Sequence, residues 1–206
     1  MRKFFSLLLL AISLAVFSTV IDKVVLASDN LKTLSCEVKA ENHLSRRTSV
    51  VDFLFYYERN NQKMRIEYIS PKSMKGSYIA IDGKYFYNYI ASMKRKIKKK
   101  LGGSTKNPGK DMGVLYNFVK GDLKDILKNF KVTYKGTEKI KIDSKTQEAL
   151  YFVLEGKDEN QHVWFNSTTL FPIKVEIYIK GKLKIRLVAK NVKINQNIDE
   201  KLFSPF

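Results

Sequence analysis

The sequence lacks the residues on which most catalytic and metal sites are built. It contains one cysteine, Cys36, and two histidines among 206 residues. A single cysteine excludes an intramolecular disulfide framework, and two histidines are too few for a multi-histidine metal site. Glycine-rich phosphate loops, nucleophile elbows and zinc-ligand spacings are missing too. We therefore expect a protein that is not an enzyme and that uses no cofactor and no metal.

Acidic residues are also scarce. The chain has 20 Asp plus Glu against 38 Lys plus Arg, a formal net charge of +18. An excess of this size favours an anionic partner. Only 7 of the 38 bases are Arg, the side chain that binds phosphates and guanine edges bidentately. The composition indicates diffuse positive charge, and we expect no nucleic-acid partner.

The N-terminal residues have the layout of a secretory signal. A short positive start, Met1-Arg2-Lys3, precedes an apolar or small stretch from Phe4 to Val20. Ile21-Asp22-Lys23 interrupts it, and Val25-Leu26-Ala27 supplies the side chains that a signal peptidase reads. We predict a signal peptide over residues 1–27, cleaved after Ala27, and export to the periplasm or the extracytoplasmic face of the envelope. The alternative is an uncleaved anchor, although the apolar stretch is at the lower limit for spanning a bilayer.

The chain from 28 to 206 reads as a single domain made mostly of strands. No Pro/Gly/Ser-rich linker divides it, and it has no internal repeat. Apolar and polar residues alternate with period two in residues 51–57, 64–68, 171–179 and 183–187. Asp82-Gly83 between two such runs is a strong hairpin signal. This spacing predicts antiparallel strands in a large curved sheet or open barrel.

One insert departs from the strand pattern. Residues 111–118 and 122–129 look helical, and in the second segment Asp122 stands at the N-cap position. A short amphipathic helix pair must lay its apolar face on the sheet. We therefore predict a mainly β fold with a short α insert: an open (incomplete) antiparallel β-barrel or half-barrel covered by a helical lid.

The side chains that would line the space beneath such a lid follow from strand alternation. Residues of equal parity on a strand share a face, so the apolar sets of two neighbouring strands point the same way. They either fill a core or leave an apolar cavity that holds an acyl chain. The candidate lining residues are Val51, Phe53, Phe55, Met64, Ile66, Tyr68, Leu123, Ile126 and Leu127.

A run of bases offers a second candidate site. Residues 93–100 carry six bases in eight positions: Lys94, Arg95, Lys96, Lys98, Lys99 and Lys100. One interpretation is a solvated hairpin end. The other is contact with an anionic membrane surface or with a membrane-bound partner protein, since each base near an anionic membrane contributes about 1 kcal/mol.

Five segments, in order, resemble the LolA/LolB family of bacterial lipoprotein carriers. The first two are KMRIEYISP at residues 63–71 and IDGKYFYNY at 81–89. Residues 112–132 resemble the family's helix followed by a strand opening in Phe-x-Val. Residues 164–176, with Leu170 and Pro172, resemble its Trp-to-Pro stretch, and residues 198–203 resemble its closing segment. The match covers nearly all of 31–206.

This resemblance implies a half-barrel with a helical lid over a hydrophobic cavity, carrying lipid-modified proteins through the periplasm. It also implies a lid-contacting arginine, for which Arg59 is the nearest residue. Two positions depart from the family pattern: Ile66 stands where Trp is common, and Asn60 rather than Pro follows Arg59. The same fold also serves as stress-sensor domains and spore-germination lipoproteins that bind protein partners. The cargo is thus a lipoprotein or lipid, with protein binding as the alternative.

Overall fold

The computed structural model describes residues 20–43, 47–101 and 112–206, and strands dominate it. All of the strands belong to one antiparallel sheet of eleven. In chain order they are β1 (Thr33–Asn42), β2 (Ser49–Glu58), β3 (Lys63–Ser70), β4 (Tyr78–Ile81), β5 (Tyr85–Ile90), β6 (Arg95–Lys100), β7 (Lys131–Ile142), β8 (Lys145–Glu155), β9 (Glu159–Asn166), β10 (Pro172–Ile179) and β11 (Lys182–Ile194). The mainly β prediction is confirmed.

The sheet is open, with β6 at one edge and β7 at the other. The strand order is β6-β5-β4-β3-β2-β1-β11-β10-β9-β8-β7. Strands that are neighbours in the chain pair with each other in both halves, and the β1–β11 pair joins the two halves. The Asp82-Gly83 turn joins β4 to β5, and the Asp82 carboxylate accepts the backbone N–H groups of Lys84 and Tyr85. The predicted open half-barrel is confirmed.

Three short α-helices accompany the sheet in the described residues. We name them α1 (residues 20–29), α2 (Gly113–Lys120) and α3 (Leu123–Leu127). Helix α2 packs on β9 and β10, and α3 packs on α2. None of the helices in the described part of the chain has the length and apolar character needed to span a bilayer.

The two helices predicted for the insert are present, with shorter bounds. Asp111, the predicted start of the first, lies outside the described residues, and the second ends at Leu127 rather than at Asn129. Asp122 does occupy the N-cap position of α3, but its side chain makes no cap bond. The carboxylate instead accepts from the Lys120 ammonium at 2.6 Å. The N-cap position predicted for Asp122 is therefore confirmed, although its carboxylate pairs with a nearby cation instead of capping the helix.

One hydrophobic core joins the helices to a single face of the sheet, which we call the inner face. Phe53 and Phe55 of β2 lie on this face, and they belong to the same buried cluster as Val24 of α1 and Phe118 of α2. Phe118 contacts the rings of Phe165 and Phe171 at centroid distances of 6.3 and 5.5 Å. Burial of aromatic rings on this scale is what holds α2 against the sheet.

Candidate functional site

The strand register places the predicted lining residues of β2 and β3 side by side. Phe53 pairs with Tyr68, and Phe55 pairs with Ile66. On the other side of β2, Val51 pairs with Ala40, which extends the same face onto β1. Phe55 is fully buried, and Phe53, Met64 and Ile66 are 3–7% exposed. The inner face of β1–β3 is therefore a continuous aliphatic and aromatic surface.

The three lid residues predicted on the second helix differ in how deeply they are buried. Leu123 of α3 is fully buried in the core. Leu127 is partly buried and packs against the core, whereas Ile126 is outside that cluster. Since α2 is the helix that packs on β9 and β10, α3 reaches the core chiefly through Leu123 and through its contact with α2.

Arg59, at the end of β2, holds two helices together. Its Nη1 donates to the carbonyl of Asp29 at 2.7 Å, and its Nη2 donates to the carbonyl of Ser28 at 2.6 Å. The same guanidinium donates to the carbonyls of Val119 at 2.8 Å and Phe118 at 3.4 Å. These four acceptors lie at the C-terminal ends of α1 and α2, where carbonyl groups lack partners within their helices and the helix dipole favours a cation. We call this arrangement the Arg59 clasp.

Gly121 makes room for the clasp. It follows α2 with φ +86, and its N–H donates to the carbonyls of Asn117 and Phe118, which ends the helix in a left-handed cap. A Cβ at this position would lie 3.1 Å from Cζ of Arg59. Burial lowers the pKa of the Arg59 guanidinium, an effect opposed by the nearby charges of Tyr57, Asp29 and Asp122.

The other end of α2 is held by a side chain from the sheet. Gln161 of β9 is 2% exposed, and its Oε1 accepts the N–H of Val114 at 3.1 Å. Gly113, with φ +55, permits this approach, since a Cβ there would lie 2.9 Å from Oε1 of Gln161. Neither Gln161 nor the two glycines stands out in the sequence as a functional residue. The available signal was Gly121 directly after an apolar helical segment, which is typical of a helix C-terminus.

Helix α1 contributes to the core although it overlaps the predicted signal peptide. Val24 is fully buried, and Val20, Ile21, Val25 and Ala27 pack against the core. The Ser28 hydroxyl donates to the carbonyl of Phe118 at 2.7 Å, which ties α1 to α2. Residues 1–19 lie outside the described part, so the signal peptide and its cleavage after Ala27 stay predictions. Cleavage at that position would remove most of α1.

The basic run begins in the turn of the β5–β6 hairpin and continues as the edge strand β6. Lys94 closes a 3-10 turn, and Arg95–Lys100 is strand β6. Lys96, Lys98 and Lys100 pair with Tyr89, Tyr87 and Tyr85 on the outer face, so Arg95, Ile97 and Lys99 lie on the inner face. Lysine on an edge strand discourages pairing with another chain. Both faces of this edge therefore carry bases, and Lys99 and Lys100 are exposed with them.

The outer face carries a separate cluster of titratable side chains around Glu176. This carboxylate accepts from the Tyr178 hydroxyl at 2.8 Å and from Nε of Arg186 at 2.9 Å, and it pairs with Lys174 at 3.1 Å. Burial alone would raise the pKa of Glu176, but these three partners lower it. A carboxylate engaged in this way is a poor general base.

The remaining chemical candidates are also engaged or shielded. Burial raises the pKa of the Cys36 thiol, which keeps it protonated. His162 shares a hydrogen bond of 2.7 Å with the Tyr151 hydroxyl, and burial lowers the pKa of its imidazole. Within residues 20–43, 47–101 and 112–206, no group of three or more His, Cys, Asp or Glu is arranged to hold a metal ion.

Comparison with known proteins yields structural matches. No protein-family model matches the chain, and no curated protein matches its sequence. An uncharacterized conserved protein from Thermus thermophilus superposes with a TM-score of 0.58 at 11% identity, over 90% of this chain and 93% of that one. LprF from Mycobacterium bovis gives a TM-score of 0.57 at 11% identity, over 87% of this chain and 93% of LprF.

A third match comes from the Pseudomonas aeruginosa MucA/MucB complex, with a TM-score of 0.56 at 10% identity. It covers 88% of this chain but 58% of the matched one, so the present chain spans little more than half of that protein. Identities this low establish the fold alone. Together with the open, helix-covered sheet, these matches support the LolA-like fold that the sequence motifs predict.

Proposed function

We propose that this protein binds the acyl chains of lipoproteins or lipids against its inner face and carries them between membranes of the cell envelope. The observation that carries the proposal is the Arg59 clasp. In addition to the packing of α1 and α2 on the core, it ties the ends of the two helices together by hydrogen bonds that all go to backbone carbonyls. Such bonds can be broken and remade without unfolding the sheet, which is what a lid requires.

The chemistry of the inner face suits an acyl chain. Its six candidate lining residues on β2 and β3 are aliphatic or aromatic, and they form one surface. Shielding each methylene of a bound chain from water contributes about 0.8 kcal/mol, so several methylenes give micromolar retention. Phe55 and Leu123 have no exposed surface while the helices are clasped. Cargo therefore reaches this face when the helices move away.

The direct test is mass spectrometry of protein purified from its native envelope without detergent. We expect an acylated lipid or lipopeptide to co-purify in a defined ratio, and to be lost after extraction with organic solvent. Repeated isolation of correctly folded protein without any acylated species would argue against the carrier function.

Leu123→Asp should speed the release of bound cargo. A carboxylate in place of a fully buried leucine cannot stay in the core, so α3 would leave its position while the sheet keeps its strands. We expect at least a tenfold faster loss of a fluorescent fatty-acid probe, since removing a buried leucine side chain costs roughly 2–5 kcal/mol. The release rate is measured by stopped-flow dilution.

Asn129→Asp is the matched control for this change. It adds the same charge just beyond α3, at an exposed position. Its release rate should equal that of the unmodified protein. A Leu123→Asp protein with unchanged release and a strand-dominated circular dichroism spectrum would contradict the lid role of α3.

A second candidate function is binding of a protein partner without lipid cargo. The match to a chain of the MucA/MucB complex favours it, because that structure contains two proteins in association. In this case the buried inner face is a permanent core. The protein would then have the same mass and the same thermal stability before and after solvent extraction, whereas a carrier that loses its cargo would change in both.

Absence of catalysis and location outside the cytoplasm belong to the same proposal. The buried Cys36 thiol and the fully paired Glu176 offer no free nucleophile or base at these positions. A carrier of this kind acts at the cell envelope, where lipoproteins and lipids pass between membranes, and the part of the cargo that it binds is the acyl chain. Neither a cofactor nor a metal is needed for binding of this kind.

A further inference from the structure

The turn between β5 and β6 presents an exposed apolar side chain. Met93 closes the 3-10 turn Ala91–Met93 and is 69% exposed, more than Leu26 at 59% or Val50 at 40%, the other exposed large hydrophobic residues of the described chain. Lys94 follows with φ +49 and donates its N–H to the carbonyl of Ala91. The turn is therefore ordered by its backbone while its thioether side chain projects into solvent.

A second basic loop lies against this turn. The N–H of Ala91 donates to the Ser77 hydroxyl at 3.0 Å, and a Cβ on Gly76 would lie 3.7 Å from that of Ala91. These contacts join the β3–β4 loop, which carries the exposed residues Lys72 and Lys75, to the turn that ends at Met93. We call the resulting surface the Met93 rim: Lys72, Lys75, Met93, Lys94 and Arg95.

The charge of the Met93 rim is not neutralised locally. Residues 68–81 and 83–110 contain no Asp or Glu at all. Among the described residues, no ion pair forms at Lys72, Lys75, Lys94 or Arg95, whereas bases elsewhere in the sheet, such as Lys63 and Lys190, are paired with carboxylates. The next strand residues, Lys96 to Lys100, continue the positive charge along β6.

We propose that the Met93 rim docks this protein on an anionic lipid bilayer. An apolar side chain surrounded by unpaired bases is the combination that binds such a surface: the bases attract anionic headgroups, and the apolar group enters the boundary with the acyl chains. Met93 suits this boundary because its side chain is flexible and polarisable. Docking is a property of the chain itself and does not depend on the cargo proposed above.

The location of the rim within the fold adds to the argument. β6 begins beside Met93 and ends at Lys100, and α2 is the next described element along the chain. Because β6 carries bases on both of its faces, either face of this sheet edge presents positive charge to a bilayer. A bilayer at the rim would thus also attract the strand that leads to the lid.

The test is binding of the full chain to vesicles of phosphatidylcholine alone and of phosphatidylcholine with added phosphatidylglycerol, at low and high salt. Binding to the neutral vesicles reports any contribution of the apolar N-terminal residues, and the gain on adding the anionic lipid reports the rim. Since each base near an anionic membrane changes affinity about fivefold, K94Q/R95Q should reduce that gain roughly 30-fold. Met93→Ser should reduce anionic-vesicle binding about tenfold.

The matched control is K139Q/K141Q, which removes two exposed bases from β7, the opposite edge of the sheet. It should leave binding to anionic vesicles within about twofold, because charge a Debye length or more from the contact is screened. All variants should keep the same circular dichroism spectrum. Equal losses in K94Q/R95Q and K139Q/K141Q would overturn the proposal in favour of diffuse charge. Binding of polyglutamate but not of anionic vesicles would overturn it in favour of an acidic protein partner.

Discussion

Arg59→Leu is expected to lower the free energy of unfolding by about 3 kcal/mol and to release α1 and α2 from each other. The leucine keeps apolar contact but donates no hydrogen bond, so the carbonyls of Ser28, Asp29 and Val119 lose a charged donor. A hydrogen bond to a charged group contributes about 1.5–3 kcal/mol, and partial access of water to the freed carbonyls offsets some of the loss. Amide hydrogen exchange in residues 20–29 and 113–120 should accelerate, while exchange in the sheet should change little.

The same substitution should strengthen cargo binding if the proposed function holds. The clasp stabilises the closed arrangement, in which Phe55 is fully buried. Weakening it raises the fraction of protein that is open, and apparent affinity rises in proportion to that fraction. We expect at least a tenfold decrease in the apparent Kd for a fluorescent fatty-acid probe.

Two further variants make this test specific. Arg59→Lys keeps the charge but cannot reach the carbonyls of both helices at once, so it should resemble Arg59→Leu more than the unmodified protein. Arg95→Leu removes an exposed arginine from β6 and should change stability by less than about 0.5 kcal/mol. If Arg59→Leu left hydrogen exchange in α1 and α2 unchanged, the clasp would have no role in holding the helices.

Removal of residues 20–27 is expected to destabilise the domain by about 3 kcal/mol or more. Val24 is fully buried, and Val20, Ile21, Val25 and Ala27 pack against the core. A buried valine contributes about 1.5–3 kcal/mol to the free energy of unfolding, and the entropy lost in ordering the helix backbone offsets part of this gain. A chain that begins at Ser28 should therefore unfold at a lower denaturant concentration than one that begins at Val20.

Intact-mass measurement of the protein recovered from the envelope identifies the first residue of the mature chain. The sequence predicts a mature chain that begins at Ser28, whereas a chain that retains residues 20–27 would place the cleavage site upstream of the buried Val24. A mature chain beginning at Ser28, with the stability of the longer form, would show that α1 is dispensable and that cleavage after Ala27 is correct.

A matched pair of substitutions on α1 tests its packing without truncation. Val24→Asp puts a charge at a fully buried position, and Leu26→Asp puts the same charge at a position that is 59% exposed. The first should cost about 3–5 kcal/mol and the second less than about 0.5 kcal/mol. Chemical denaturation of both proteins measures the difference, and equal costs would mean that α1 does not dock as described.

The sequence by itself determined the class of fold and the direction of most strand side chains. Alternation with period two is a local property, so the same-face relation of Phe53 and Phe55 to Ile66 and Tyr68 follows from the residue pattern alone. The Asp82-Gly83 hairpin is equally local. The order of five family-like segments then indicates the LolA-like arrangement of the sheet.

The family resemblance pointed to Arg59, but only the tertiary structure decided which groups of α1 and α2 it binds. Arg59 is 31 residues from Ser28 and 60 from Val119 in the chain, and no local pattern reveals that their groups meet. The same holds for Gln161, which reaches Val114 across 47 residues. The role of α1 was hidden for a different reason: an apolar segment that packs in a core and one that directs export have similar compositions, and what distinguishes them is burial against distant strands.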